Sequence, residues 1–163
     1  MYPWRFYLEQ LMHFVLAKSR HGTHSPFVYR LVDEVIYPKR RMGEPRDMIE
    51  RLTARLIDRC KPLQVHKLGS GHLAEPADFV IAEGYDAERI ATELAILWPK
   101  LQNGSVLILG DIYHDAHMKR LWQSIKAKPE VTVTIDLFWV VLVFFHPGQA
   151  KEHFRIRWPS YPR

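Results

Sequence analysis

The chain has 163 residues, of which 47% are hydrophobic and 25% charged, and a formal net charge of +5. That length suits one domain, residues 1–163, with its own core, and the apolar content with modest net charge excludes a disordered chain. A single cysteine, Cys60, excludes a disulfide scaffold and a zinc ribbon or finger.

The first 18 residues open on aromatic and charged side chains rather than a basic stretch before an apolar run, so no secretory leader is expected. The longest apolar run, Leu137–Phe145, is far shorter than the roughly 20 residues of a membrane span. The expected setting is a reducing cytoplasm, with no membrane partner.

Charge divides the chain. Residues 1–61 hold 12 basic and 7 acidic side chains, and residues 62–163 hold 11 of each. The whole excess therefore sits in an N-terminal basic segment, densest at Lys39, Arg40, Arg41 and Arg46. Such a patch is either a solvated face or a contact for RNA or another polyanion. No nucleic-acid-binding motif accompanies it.

In chain order, Trp4–Lys18 reads as an amphipathic helix with Tyr7, Leu8, Leu11, Met12, Phe14 and Val15 at helical spacing. Ser25-Pro26 starts a second helix, with Ser25 as N-cap and Pro26 in the first turn, ending before Pro38. Asp47 caps a third, with Ile49, Leu52, Leu56 and Ile57 as its stripe. The period then changes. Leu63–Leu68 reads as a short strand before Gly69-Ser70-Gly71, and Asp78–Glu83 as an apolar strand. Glu88–Trp98 is a helix, Asn103-Gly104 a turn, Ser105–Leu109 a buried strand and His117–Ala127 a helix. Val131–Ile135 reads as a half-exposed strand and Leu137–Phe145 as a strand buried on both faces. His153–Trp158 is a last short strand or an extended tail.

Strands alternating with helices imply right-handed crossovers and a parallel sheet, and the final two strands an antiparallel pair at its end. The expected fold is α/β: a reduced, mostly parallel sheet of four or five strands, residues 62–163, with the helices of residues 1–61 packed on it.

The string ADFVIAEGYDAERIATELAILWPKLQNGSVLILGDIYHDAHMKRLWQSIKAKPEVTVTIDLFWVVLVFF resembles the C-terminal half of class I S-adenosylmethionine-dependent methyltransferases. Its DFVIAEGYD is similar to that family's fourth strand and following turn, LQNGSVLILGDI to the fifth strand and its acidic loop, and VTVTIDLF with VVLVFF to the terminal hairpin. RHGTHSPFVYRLVDEVI and RLTARLIDRCKPLQVHKLGSG resemble the N-terminal part of a bacterial O-methyltransferase-like subfamily. The resemblance implies a Rossmann-like fold and, in an intact member, S-adenosylmethionine as cofactor, held by a glycine-rich loop and by an acidic residue after the second strand. Here only His72–Ala77 separates Gly71 from the DFVIAE strand. One crossover alone needs about a dozen residues or more, so the cofactor-binding half is missing by this reading.

Two residue sets carry possible chemistry. Gly69 and Gly71 stand where the resemblance places a cofactor loop, with Glu83 and Asp86 at the end of the DFVIAE strand; an ordinary turn with a capping Asp86 is the alternative. Asp111, His114, Asp115 and His117, in GDIYHDAH, offer imidazole and carboxylate ligands for a divalent metal such as Zn, Fe or Mn, and the resemblance carries Asp111 over as a metal ligand. The alternative is a capping Asp115 with hydrogen-bonded histidines. His21 and His24 flank a break before the second helix without a derivable role. Cys60 reads as a packed residue rather than a reactive thiol.

The sequence thus points first to a methyltransferase-like protein without cofactor or catalysis, acting as a structural or interaction protein. An active enzyme with an atypical cofactor site and a polyanion-binding module stand as alternatives. A shortened sheet leaves apolar surface to cover, which implies a homodimer.

Overall fold

The structure, a computed structural model, describes residues 3–18, 24–69, 77–84 and 86–158. Six strands form one sheet in the order β1-β2-β3-β5-β4-β6. They are β1 (Val65–Lys67), β2 (Ala77–Ala82), β3 (Leu101–Gly110), β4 (Val133–Asp136), β5 (Val140–Phe144) and β6 (Glu152–Arg155). β1, β2 and β3 pair in parallel, as do β4 and β6, while β5 runs against both of its neighbours. The mostly parallel α/β sheet expected from the alternation is present.

The antiparallel pair does not lie at the sheet's end, as expected. β5 is inserted between β3 and β4, and β6 adds in parallel beyond β4. The cause is that β4 has two edges to satisfy: β5 takes one, and the outer one is free for the C-terminal residues, so His153–Trp158 begins as a strand. β4 is for the same reason buried along its whole length, not half-exposed. Its Thr134 hydroxyl is 2.8 Å from His153 Nδ1. Asn103-Gly104 is not a turn but an irregular stretch inside β3, where the β2 register shifts and Gly104 adopts φ +93.

Alternation along the strands sends side chains to two cores. On one face Phe79, Val106, Ile108, Ile135 and Leu142 meet α2 (Pro26–Leu31), its continuation as a π-helical turn (Val32–Ile36) and α3 (Met48–Cys60). On the other, Val80, Leu107, Leu109, Val141 and Val143 meet α4 (Ala87–Leu97) and α5 (Ala116–Ala127). Asp47, Asp86 and Asp115 each accept backbone N–H bonds at the N-termini of α3, α4 and α5, which offsets donors the helix cannot pair itself. Ser25 does not cap α2 through its hydroxyl; that oxygen instead accepts from Gln149 Nε2 at 3.0 Å.

The first helix, α1 (Trp4–Leu16), departs most from expectation. Its buried residues are Phe6 and His13, seven positions apart on one face. Tyr7, Leu8, Leu11, Met12, Phe14 and Val15, the expected inward stripe, are all exposed. The helix is turned by nearly half a revolution because its docking contacts are an aromatic ring and a hydrogen-bonded imidazole rather than aliphatic side chains. Phe6 packs against Phe138 and Trp139 with centroids 5.0 and 5.3 Å away.

Leu56 is fully buried between α3 and the sheet. Leu56→Ala is expected to lower the unfolding free energy by about 2–5 kcal/mol through lost burial and a residual cavity. Urea unfolding followed by tryptophan fluorescence measures it, and a loss below about 1 kcal/mol contradicts this packing.

Candidate functional site

The parallel strands β2 and β3 end side by side at Ala82 and Gly110. Beyond them lies a cavity of about 350 Å³, lined among others by Asp47, Glu50, Glu83, Gly84 and Asp111. This is the edge at which open α/β sheets place ligands. The structure thus brings Glu83 and Asp111 into one acidic recess, with the N-terminus of α3 across from them. Glu83 is committed within the chain, pairing with Lys67 at 2.6 Å. Burial raises the Asp111 pKa; His114 works against this and Glu83 with it. Asp111 has φ +52 and donates its N–H to Trp139 O at 3.0 Å, so its backbone fastens the end of β3 to the β4–β5 turn.

Gly69 lies at the end of β1 with φ +85. The positive φ favours glycine there, and the movable guanidinium of Arg89 lies against it, 2.4 Å from where a Cβ would stand. The Gly69 N–H donates to Glu93 Oε2 at 2.6 Å, and Arg89 also bonds Glu93. That N–H is thus bonded within the chain. Gly71 and His21 lie outside the described residues.

In the loop after β3, His114 N–H donates to Asp111 O at 2.9 Å, and Asp115 accepts from His117 and Met118 N–H, which lowers its pKa. His117 Nδ1 turns to Arg120 at 3.1 Å. Among the described residues no three His, Cys, Asp or Glu side chains converge as a metal set would. Cys60 is exposed rather than packed, and partial burial raises its thiol pKa.

Lys39, Arg40, Arg41 and Arg46 are all exposed on one loop between α2 and α3. Two further arginines fix that loop. Arg55 bonds Glu44 and the carbonyls of Val35, Pro38 and Lys39, while Arg51 bonds those of Pro45 and Arg46. Arg55, with the Arg41 N–H, lowers the Glu44 pKa to about 2.

The densest buried polar cluster was not legible from local strings. Asp136, at the end of β4, accepts from Tyr113 Oη at 2.6 Å, from Phe138 N–H at 2.9 Å and from His13 Nε2 at 3.1 Å. Arg155 Nε stands 3.6 Å away. The His13 Nε2 also lies 3.1 Å from the Asp136 backbone oxygen. Burial alone would raise the Asp136 pKa; hydrogen bonds from His13, Tyr113 and Phe138 outweigh it and hold the carboxyl below its ordinary value. Burial and the neighbouring Asp136 raise the Tyr113 pKa. Beside the cluster a cavity of about 360 Å³ opens between α1, α5, β4 and β6, edged by Glu9, Lys119, Lys126 and Arg155.

An aspartate that orients an imidazole is half of a general-base arrangement. The remaining His13 nitrogen, Nδ1, would have to reach a substrate. It is buried, with no hydrogen-bond partner among the described residues, and the His13 side chain borders the cavity. Within the chain the arrangement anchors α1 to the end of β4. The signal that could have revealed it is one polar residue, His13, seven residues after Phe6 and opposite the apolar stripe.

A carboxyl with a lowered folded pKa contributes stability that is complete above its unfolded value, about 3.9, and lost as pH falls through the folded value. Asp136→Asn is expected to cost on the order of 2 kcal/mol at neutral pH and to flatten the acid limb of the stability profile. Urea unfolding at a series of pH values checks both, and an unchanged acid limb contradicts the assigned role.

Comparison with protein-family models, with curated proteins and with solved structures gives no match for this chain.

Proposed function

We propose that this chain is a degenerate relative of the S-adenosylmethionine-dependent methyltransferases that serves as a structural or interaction protein rather than as a catalyst. The carrying observation is the junction of β1 and β2. The two strands are direct parallel neighbours, with Val65, His66 and Lys67 in register with Phe79, Val80 and Ile81. Only residues 68–76 join them, fewer than the dozen or so that one helical crossover needs. A strand-crossover-strand unit between them, the part that holds the cofactor in the family this sequence resembles, has no room.

The rest of the sheet supports the same reading. β2, α4, β3 and α5 follow in the order the resemblance implies, and the β4–β5 hairpin comes next, with β6 added beyond it. The acidic recess at Glu83 and Asp111 keeps the position of a ligand edge. Gly69 is bonded to Glu93 and pressed by Arg89, and Glu83 is paired with Lys67. An interaction role draws on a separate feature, the apolar outer face of α1, which a monomer leaves in water.

Isothermal calorimetry with S-adenosylmethionine and S-adenosylhomocysteine tests this. The expected result is no saturable heat from either at micromolar protein. Micromolar binding of one of them overturns the proposal and favours an active enzyme with an atypical cofactor site.

A further inference from the structure

The outer face of α1 has a regular pattern. Trp4, Leu8, Leu11 and Val15 follow one another at intervals of four, three and four residues, the spacing of a helix–helix seam. The two buried residues, Phe6 and His13, lie on the opposite side. The helix thus gives its narrow polar-and-aromatic edge to its own sheet and its seam to solvent. Tyr7 and Phe14 lie on one shoulder of the seam, and Arg5 and Met12 on the other. The large apolar side chains of this face are 44–67% exposed.

The seam is also symmetric about its own midpoint, between Glu9 and Gln10. Leu8 and Leu11 are equidistant from that point, as are Trp4 and Val15. An identical helix laid antiparallel across it therefore meets Leu8 with Leu11 and Trp4 with Val15, and brings the Tyr7–Phe14 shoulder beside its own copy. This self-complementarity is what a two-fold contact requires, since each residue of the patch must find its mate in the same patch. The charge pattern agrees: the one carboxylate of α1, Glu9, lies on the side away from the seam and pairs with Lys119 of its own α5, so no carboxylate of the helix faces the axis.

Seven large apolar side chains of α1, from Trp4 to Val15, are 44–67% exposed, which makes one contiguous apolar patch of the kind that marks an interaction surface rather than the scattered apolar residues of an ordinary surface.

We infer that the partner of this protein is a second copy of itself, docked through an antiparallel α1–α1 seam centred on Leu8 and Leu11. The inference rests on the interaction role proposed above and names its partner. It differs from cover of a sheet edge: β1 and β6 need take no part.

Sedimentation velocity of the full chain at micromolar concentration tests it. The expected species is a dimer that becomes monomeric in Leu8→Glu and in Leu11→Glu, with at least a tenfold weaker association. Ile96→Glu, at an exposed apolar position on α4, is the control and stays dimeric. Circular dichroism confirms that each variant is folded. In a Cys60→Ser background, the double variant Leu8→Cys, Leu11→Cys is expected to crosslink to a dimer on mild oxidation. A wild-type monomer, or a dimer unaffected by both glutamate variants, overturns the inference; so does association only with anionic lipid vesicles. Calorimetry with S-adenosylmethionine on the same samples separates the two proposals, because a dimer that binds it overturns only the catalysis-free role.

Discussion

The carboxylate of Asp136 is the point at which four separate pieces of chain are tied. It takes the imidazole of His13 from α1, the hydroxyl of Tyr113 from the loop after β3, the N–H of Phe138 from the β4–β5 turn, and stands close to Arg155 of β6. Phe138 has φ +75, a left-handed conformation that a side chain of this size rarely adopts. The carboxylate bond to its N–H offsets that strain and aims the ring into the space where Phe6, His13 and Tyr113 meet. A buried charge is tolerable only when its lone pairs are so occupied. Losing any one donor therefore weakens the other three attachments through the same atom.

This tie explains how a helix can remain folded with most of its apolar surface in water. Isolated helices of this length are marginal, and α1 has just two buried residues, Phe6 and His13. Its attachment is instead polar and directional. The bridge between Lys18 and Ile156 extends it by carrying the chain after α1 alongside the end of β6. A directional anchor on one side frees the opposite side from any packing duty within the monomer. Beyond the ends of β1 and β2 the pairing is again internal: the Gly69 N–H with Glu93 and Glu83 with Lys67.

Much of the architecture was readable in advance because its signals are local. The caps at Asp47 and Asp115 and the alternation of strands with helices fixed α3, α4, α5, β2 and β3 to within a few residues. The features missed are those set by distant partners. β4 reads as half-exposed because its threonines alternate, yet β6, twenty residues later, supplies the partner that buries Thr134. The long apolar run from Leu137 contains a turn, since Asp136 bends the chain at Phe138 before the strand starts at Val140. Periodicity located the stripe on α1 correctly but carried no information about which side faces the sheet. That depended on one histidine and an aspartate 123 positions away. At the end of β1, the left-handed backbone of Gly69 and the approach of Arg89 from α4 depend on partners that no local string displays.

Backbone amide hydrogen exchange on His13→Ala against the unaltered chain tests the tie most directly. If Asp136 holds α1 through His13, the amides of Trp4–Leu16 lose protection by tenfold or more, about 1.4 kcal/mol. Those of β3 and β5 keep theirs. Unchanged protection across α1, or an equal loss through the whole sheet, would contradict the account.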